Sequence, residues 1–242
     1  MSIPHWAADL ADTFWGLAGM QEAYPRNLRR PIARALPMAV ISLPGLRLRQ
    51  VQEWLRDHGV GRAGKEPDRT LRACLVARDG WGYLFLDGTD PEDEQRLSLA
   101  HELAHFLRHY WQPRREAVRR LGDRVSEVLD GRRPPTAHER LHGLLAGVRL
   151  GFHWHLMRRD DAGDFADAAI AAAAREADLL GYELLAPAGD VLGRAGDADR
   201  DVLGRILRDD YGLPVAHAAR YSLILLPPPA NDPLLRRLGL SG

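Results

Sequence analysis

Two histidines four residues apart, with a glutamate beside the first, make up the stretch His101-Glu102-Leu103-Ala104-His105. On an α-helix, residues four apart lie one above the other, so His101 and His105 can offer two imidazoles to a single ion. Glu102 sits about a quarter-turn round, within reach of a water at an open coordination position. The surrounding run from Leu97 to Leu107 carries no charge except Glu102. A metal helix buried under a cleft needs that composition, because a stray charge there would go unpaired. The chemistry implied is metal-assisted hydrolysis: a zinc ion as Lewis acid, with Glu102 taking a proton from the attacking water and passing it to the leaving group. Two histidines do not complete such a site, since a catalytic zinc ordinarily keeps three protein ligands and one open position.

The elements that would position these groups can be read around the motif. Leu71 to Arg78 and Trp81 to Leu86 flank Asp79-Gly80, a tight-turn dipeptide, and predict a β-hairpin that leads directly into the metal helix. Both faces of these strands are apolar, so they should lie against the core, with Trp81, Tyr83 and Phe85 as core aromatics. Asp90 as cap, Pro91 at the first position and acids in the first turn open the helix, which should run to about Trp111 before Pro113. Upstream, residues 5–23 predict an amphipathic helix (Trp6, Leu10, Phe14, Leu17) and residues 26–35 a basic connector. Leu36 to Ile41 predicts a strand and residues 46–58 a second helix closed by Gly59. Downstream, a helix is expected over 114–129. Another should run from the capping-box pair Thr136/Glu139 to about Arg159, with Gly143, Gly147 and Gly151 on one face. An alanine-rich helix over 165–185, capped by Asp164 and closed by Pro187, would be its close-packing partner. Two helices over 198–211 and 214–226 and a loosely ordered tail complete the chain.

Bulk properties narrow the class. The chain has 242 residues, with 33 basic and 33 acidic side chains, which argues against a polyanion-binding surface. Cys74 is the lone cysteine, so intrachain disulfides are impossible and a reducing cytoplasm is the expected setting. The start lacks the order of a signal peptide and no apolar run is long enough to span a bilayer.

Arg96 to His109, with the strands before it, resembles the ImmA/IrrE family of metallopeptidases, whose core segment reads approximately RFTLAHELGHLLLH. A second family motif, roughly E-A-N-x-F-A-x-x-L-L-M-P, is similar to Glu176 through Pro187. The resemblance implies an α+β zincin-like fold with a small sheet, an HExxH helix, a second ligand helix and extra helical segments. It implies Glu176 as third zinc ligand, with Asp178 and Glu183 as nearby alternatives. Asp178 stands where the family has Asn, and Leu180 where it has Phe. The separation of His105 from Glu176 exceeds the family's, because residues 113–163 look inserted. The expected organisation is an N-terminal helix (1–30), a metallopeptidase domain (31–190) and a C-terminal helical segment (191–242).

The insertion contains a second HExxH, His138-Glu139-Arg140-Leu141-His142. Arg140 inside it, Gly143 after it and a sufficient capping role for Glu139 favour the first motif as catalytic. His109, one turn beyond His105, reads as a cleft-wall residue or a group that orients a ligand. His153 and His155, two apart in an expected helix, should point to different faces and carry no chemistry. As an edge strand, Trp81 to Leu86 could pair with an extended peptide substrate. The family resemblance implies site-specific cleavage of a regulatory protein such as a helix-turn-helix repressor. The alternative is a non-proteolytic interaction protein that keeps the fold. Direct nucleic-acid binding through residues 202–226 is disfavoured by the neutral charge balance and the few basic side chains within 214–226.

Overall fold

The computed structural model describes residues 3–61, 67–141, 151, 153–158 and 168–227. Its centre is the hairpin of β2 (Leu71–Arg78) and β3 (Trp81–Asp87). Asp79 and Gly80 take φ of 51° and 86°, the left-handed pair that a two-residue turn between twisted strands requires. β1 (Met38–Leu43) pairs in parallel with β3, and β4 (His153–Arg158) pairs antiparallel with β2, giving the order β1-β3-β2-β4. β3 is therefore interior, and the expectation that Trp81 to Leu86 forms an edge is overturned. The outer strands are β1 and β4.

Alternation along β2 divides the core in two. Ala73, Leu75 and Ala77 face the metal helix, whereas Leu71, Cys74 and Val76 face α3 (Leu48–Asp57) through Val51 and Leu55. Phe85 is buried, but Trp81, expected in the core, is 53% exposed at the start of β3.

The metal helix α4 spans Glu92–His105, with Glu92, Asp93 and Glu94 in its first turn; the cap position falls on Pro91, one residue later than expected. The helix does not stop at Pro113. A π-helical segment (Phe106–Trp111) continues it into α5 (Gln112–Leu121), with Pro113 in the first turn of α5 directly after the wider π turns. Tyr110 of the π segment accepts a hydrogen bond from the Gly80 N–H at 2.8 Å, tying the helix exit to the hairpin turn.

At Gly122 the expected helix over 114–129 is broken; a 3-10 turn (Asp123–Val125), α6 (Ser126–Leu129) and, farther on, α7 (Ala137–Leu141) follow it. The helix expected from Thr136 to Arg159 is overturned, because β4 occupies 153–158 and Gly151 has φ of 75°. Gly143 and Gly147 lie outside the described residues, as do Asp164 and the tail from 228. The alanine-rich helix α8 (Ala168–Leu185) packs instead on α4. A Cβ at Gly181 would sit 3.5 Å from Ala100 C and His101 N, so the two backbones approach closely across small residues.

Near the chain start, α1 (His5–Ala18) ends at a left-handed Gly19, short of residue 23. Its buried stripe is Ala7, Leu10, Ala11, Phe14 and Ala18, with Leu17 turned outward. Two short helices were not expected. α2 (Arg29–Ala35) buries Pro31 and Ile32 in the basic connector, and α9 (Ala188–Ala195) starts directly after Pro187. α10 (Arg200–Asp209), capped by Asp199 on the Val202 N–H at 2.8 Å, and α11 (Val215–Leu225) form a pair turning at Gly212. Among the described residues, no helix is long and apolar enough to cross a membrane.

Candidate metal centre

The site is built on α4, whose two flanking layers are the sheet and α8. Leu99, Ala100, Leu103 and Ala104 are buried in the core, and the same helical repeat aims His101 and His105 along one line. Their Nε2 atoms lie 3.1 Å apart. Two nitrogens bound to one zinc at ~2.0–2.1 Å with a tetrahedral spread would lie about 3.3 Å apart, so the pair fits a shared ion with little rearrangement. Both rings are almost wholly buried, and the Glu102 side chain is fully so.

Each imidazole is held by a different neighbour. Asp178 Oδ1 lies 2.9 Å from His101 Nδ1, and its other oxygen accepts a 2.8 Å bond from Arg220 of α11. With Nδ1 engaged on a carboxylate, the His101 Nε2 lone pair faces the site, the arrangement usual for a metal-ligating histidine. Burial works against protonating His101, but the bond and charge of Asp178, with Glu102 behind them, outweigh it and raise its pKa. Asp178 is itself held low despite burial, through His101 and Arg220. His105 has no such carboxylate. Burial, then the neighbouring His155 and His101, push its pKa well down, so it is neutral and able to donate a lone pair at ordinary pH.

His155, dismissed on the sequence, enters the site. On a strand, residues two apart share a face, so the helical periodicity applied to this segment separated side chains that belong together. The register places His153, His155 and Met157 opposite Ala77, Leu75 and Ala73, the strand positions that face α4. His155 stacks on His105 with ring centroids 3.7 Å apart, and its Nδ1 lies 2.9 and 3.0 Å from the two Glu102 oxygens. His101, His105 and His155 form a cluster able to hold a metal ion, with one ligand atom from each within 4.8 Å of the others. His153 stacks on Tyr110 farther along the strand, at 6.2 Å. The apolar/polar alternation of His153 to Met157 after Gly151 was the available signal for a strand.

The carboxylates expected near the ion lie in three places. Glu176 is 37% exposed and takes a 2.9 Å ion pair from Arg108, away from the His101–His155 cluster. Asp178 touches His101 from behind. Glu183 accepts bonds from the Ala188 N–H at 3.0 Å and the Tyr221 hydroxyl at 3.1 Å, closing the end of α8, and burial raises its pKa. His109 is half-buried beside the Arg108–Glu176 pair, and burial lowers its pKa.

The second HExxH has the capping geometry expected of it. Glu139 accepts the Thr136 N–H at 2.7 Å, Thr136 Oγ1 accepts the Glu139 N–H at 3.3 Å, and Arg133 grips the same carboxylate through both terminal nitrogens. These bonds, that from Arg133 foremost, pull the Glu139 pKa down to about 2. His138 is exposed, and His142 lies outside the described residues.

A family model described as Peptidase_M78, the IrrE N-terminal-like domain, matches residues 69–127, which run from the hairpin through α4 and α5 into α6. Among curated proteins, none matches the chain.

Proposed function

From the match of residues 69–127 to the IrrE N-terminal-like model, we propose that the chain is a zinc-dependent endopeptidase of the ImmA/IrrE kind working through the first HExxH. The observation that carries this reading is the pair of buried imidazoles 3.1 Å apart with Glu102 alongside. His101 and His105 would hold the ion, and His155 is proposed as third donor on the strength of its place in the cluster. The family resemblance offers Glu176 instead, whose carboxylate would first have to leave Arg108. A divalent ion bound there supplies Lewis-acid polarisation of a peptide carbonyl and acidifies water.

The chain's own residues supply the proton handling. Glu102, an acceptor with both oxygens close to His155, takes a proton from attacking water and delivers it to the departing amine. His155 Nδ1–H orients that carboxylate, and Asp178 keeps the His101 proton on the nitrogen facing away from the reaction. An extended peptide could add to the outer side of β4, which has no strand partner there among the described residues. The family resemblance adds the substrate class, a regulatory protein such as a helix-turn-helix repressor, and the lone Cys74 adds a reducing, cytoplasmic setting.

Metal analysis of purified protein together with cleavage of a co-expressed neighbouring repressor tests the reading. Glu102→Gln should retain the metal and lose hydrolysis by about 100- to 10,000-fold, the usual scale of a general base. Undiminished cleavage in that variant would exclude Glu102 as the base. Partner binding with no cleavage, in the wild type as well, would favour the interaction protein.

A further inference from the structure

The family match ends at residue 127, yet the metal helix is gripped by a helix far beyond it. α11 meets α8 through three side-chain bonds within little more than one turn. His217 Nδ1 lies 2.9 Å from the Tyr182 hydroxyl, Arg220 donates to Asp178 at 2.8 Å, and Tyr221 donates to Glu183 at 3.1 Å. The rings of Tyr182 and Tyr221 stack between them at 4.5 Å. Of these bonds, only that of Arg220 reaches the site, because Asp178 passes it on to His101 at 2.9 Å.

We propose that Arg220 is a positioning residue for the metal site, fixing the tautomer and orientation of His101 through Asp178. A carboxylate with one oxygen on an imidazole N–H can still pivot about its last torsion. Tied at the second oxygen by a guanidinium, it is held at both ends. Asp178 is 16% exposed, so its bond to His101 is little diluted by water, whereas Arg220 is 51% exposed and reaches in from the surface. With Nδ1–H fixed on Asp178, the Nε2 lone pair of His101 is kept on the side of His105. The C-terminal helix pair thereby becomes part of the site, although the HExxH stretch contains no trace of it. This inference rests on the metal reading only for its effect on affinity; the effect on the His101 ring is a property of the metal-free chain.

The closing experiment therefore has two readouts on the full chain. Imidazole nitrogen NMR of the metal-free protein, at a pH where the His101 ring is neutral, should show its proton at Nδ1 in the wild type, and a mixture of tautomers in Arg220→Ala. Competition of zinc against a chromophoric chelator should show Asp178→Ala about 10- to 100-fold weaker, the scale of losing an outer-sphere partner of a ligating histidine. Arg220→Ala should be weakened by less, Arg220→Lys should recover most of the loss, and the double variant should be no weaker than Asp178→Ala. An unchanged His101 tautomer in Arg220→Ala overturns the proposal, as do losses that multiply in the double variant. Absence of zinc binding in the wild type would sink the metal reading instead, leaving the NMR result to decide the role of Arg220.

Discussion

Replacing His155 separates the two candidate donor sets. Apparent zinc affinities of four-donor sites correspond to about 10–16 kcal/mol, or roughly 2.5–4 kcal/mol per donor, so loss of one donor should weaken binding by about two to three orders of magnitude. His155 also bonds the fully buried Glu102 carboxylate, and removing it leaves that group without this partner. His155→Gln meets the difficulty, because its amide can still donate to Glu102 yet is a poor zinc ligand. If His155 is the third donor, His155→Gln and His155→Ala lose zinc affinity alike, by about 100- to 1,000-fold. Glu176→Gln then binds zinc as the wild type does. The assay is competition with a chelator of known affinity, with circular dichroism confirming that each variant is folded. Wild-type affinity in both His155 variants, together with a loss of that size in Glu176→Gln, refutes the donor set and restores the carboxylate.

Two further outcomes follow from packing and burial. A Cβ at Gly82 would lie 2.7 Å from Met38 Cε and 3.0 Å from the Phe106 ring, so Gly82→Ala should cost about 1–3 kcal/mol and lower the Tm by roughly 2–12 °C; an unchanged Tm would show that Met38 and Phe106 yield freely. Burial raises the Glu183 pKa, so its folded-state stabilisation is full below the ordinary carboxylate range and is lost as pH rises through the raised value; Glu183→Gln, which keeps an acceptor for Ala188 and Tyr221, should remove that decline, and parallel stability–pH curves for the two proteins would refute it.

What could be read from the sequence followed from local rules. Asp79-Gly80 specifies its turn with two residues, and the HExxH spacing specifies a shared helix face, so hairpin and helix stand where expected. The capping box of Thr136 and Glu139 is equally local, and it explained the second motif without any chemistry. Failure came where the period had to be chosen. From Thr136 a good helix start predicts a helix through three glycines to Arg159, whereas the chain shifts to a two-residue repeat at His153. A seven-residue helix such as α2 holds too few turns for periodicity to register. The bonds from Asp178 to His101 and from Arg220 to Asp178 join residues 77 and 42 apart, and nothing in the local sequence encodes such a meeting.

The strand register accounts for how β4 reaches the HExxH helix. β2 already presents Ala73, Leu75 and Ala77 to α4, and any strand added beside it antiparallel must present alternate residues to the same helix. Pairing Leu75 with His155 sets an imidazole over Glu102, and a slip of one residue would bring Trp154 or Leu156 there instead. Charge favours the proposed use of that imidazole. Asp178 already has its counter-charge in Arg220, and Arg108 neutralises Glu176 outside the cluster. Drawing Glu176 inward would strip Arg108 of its ion pair, a cost that His155 as donor avoids.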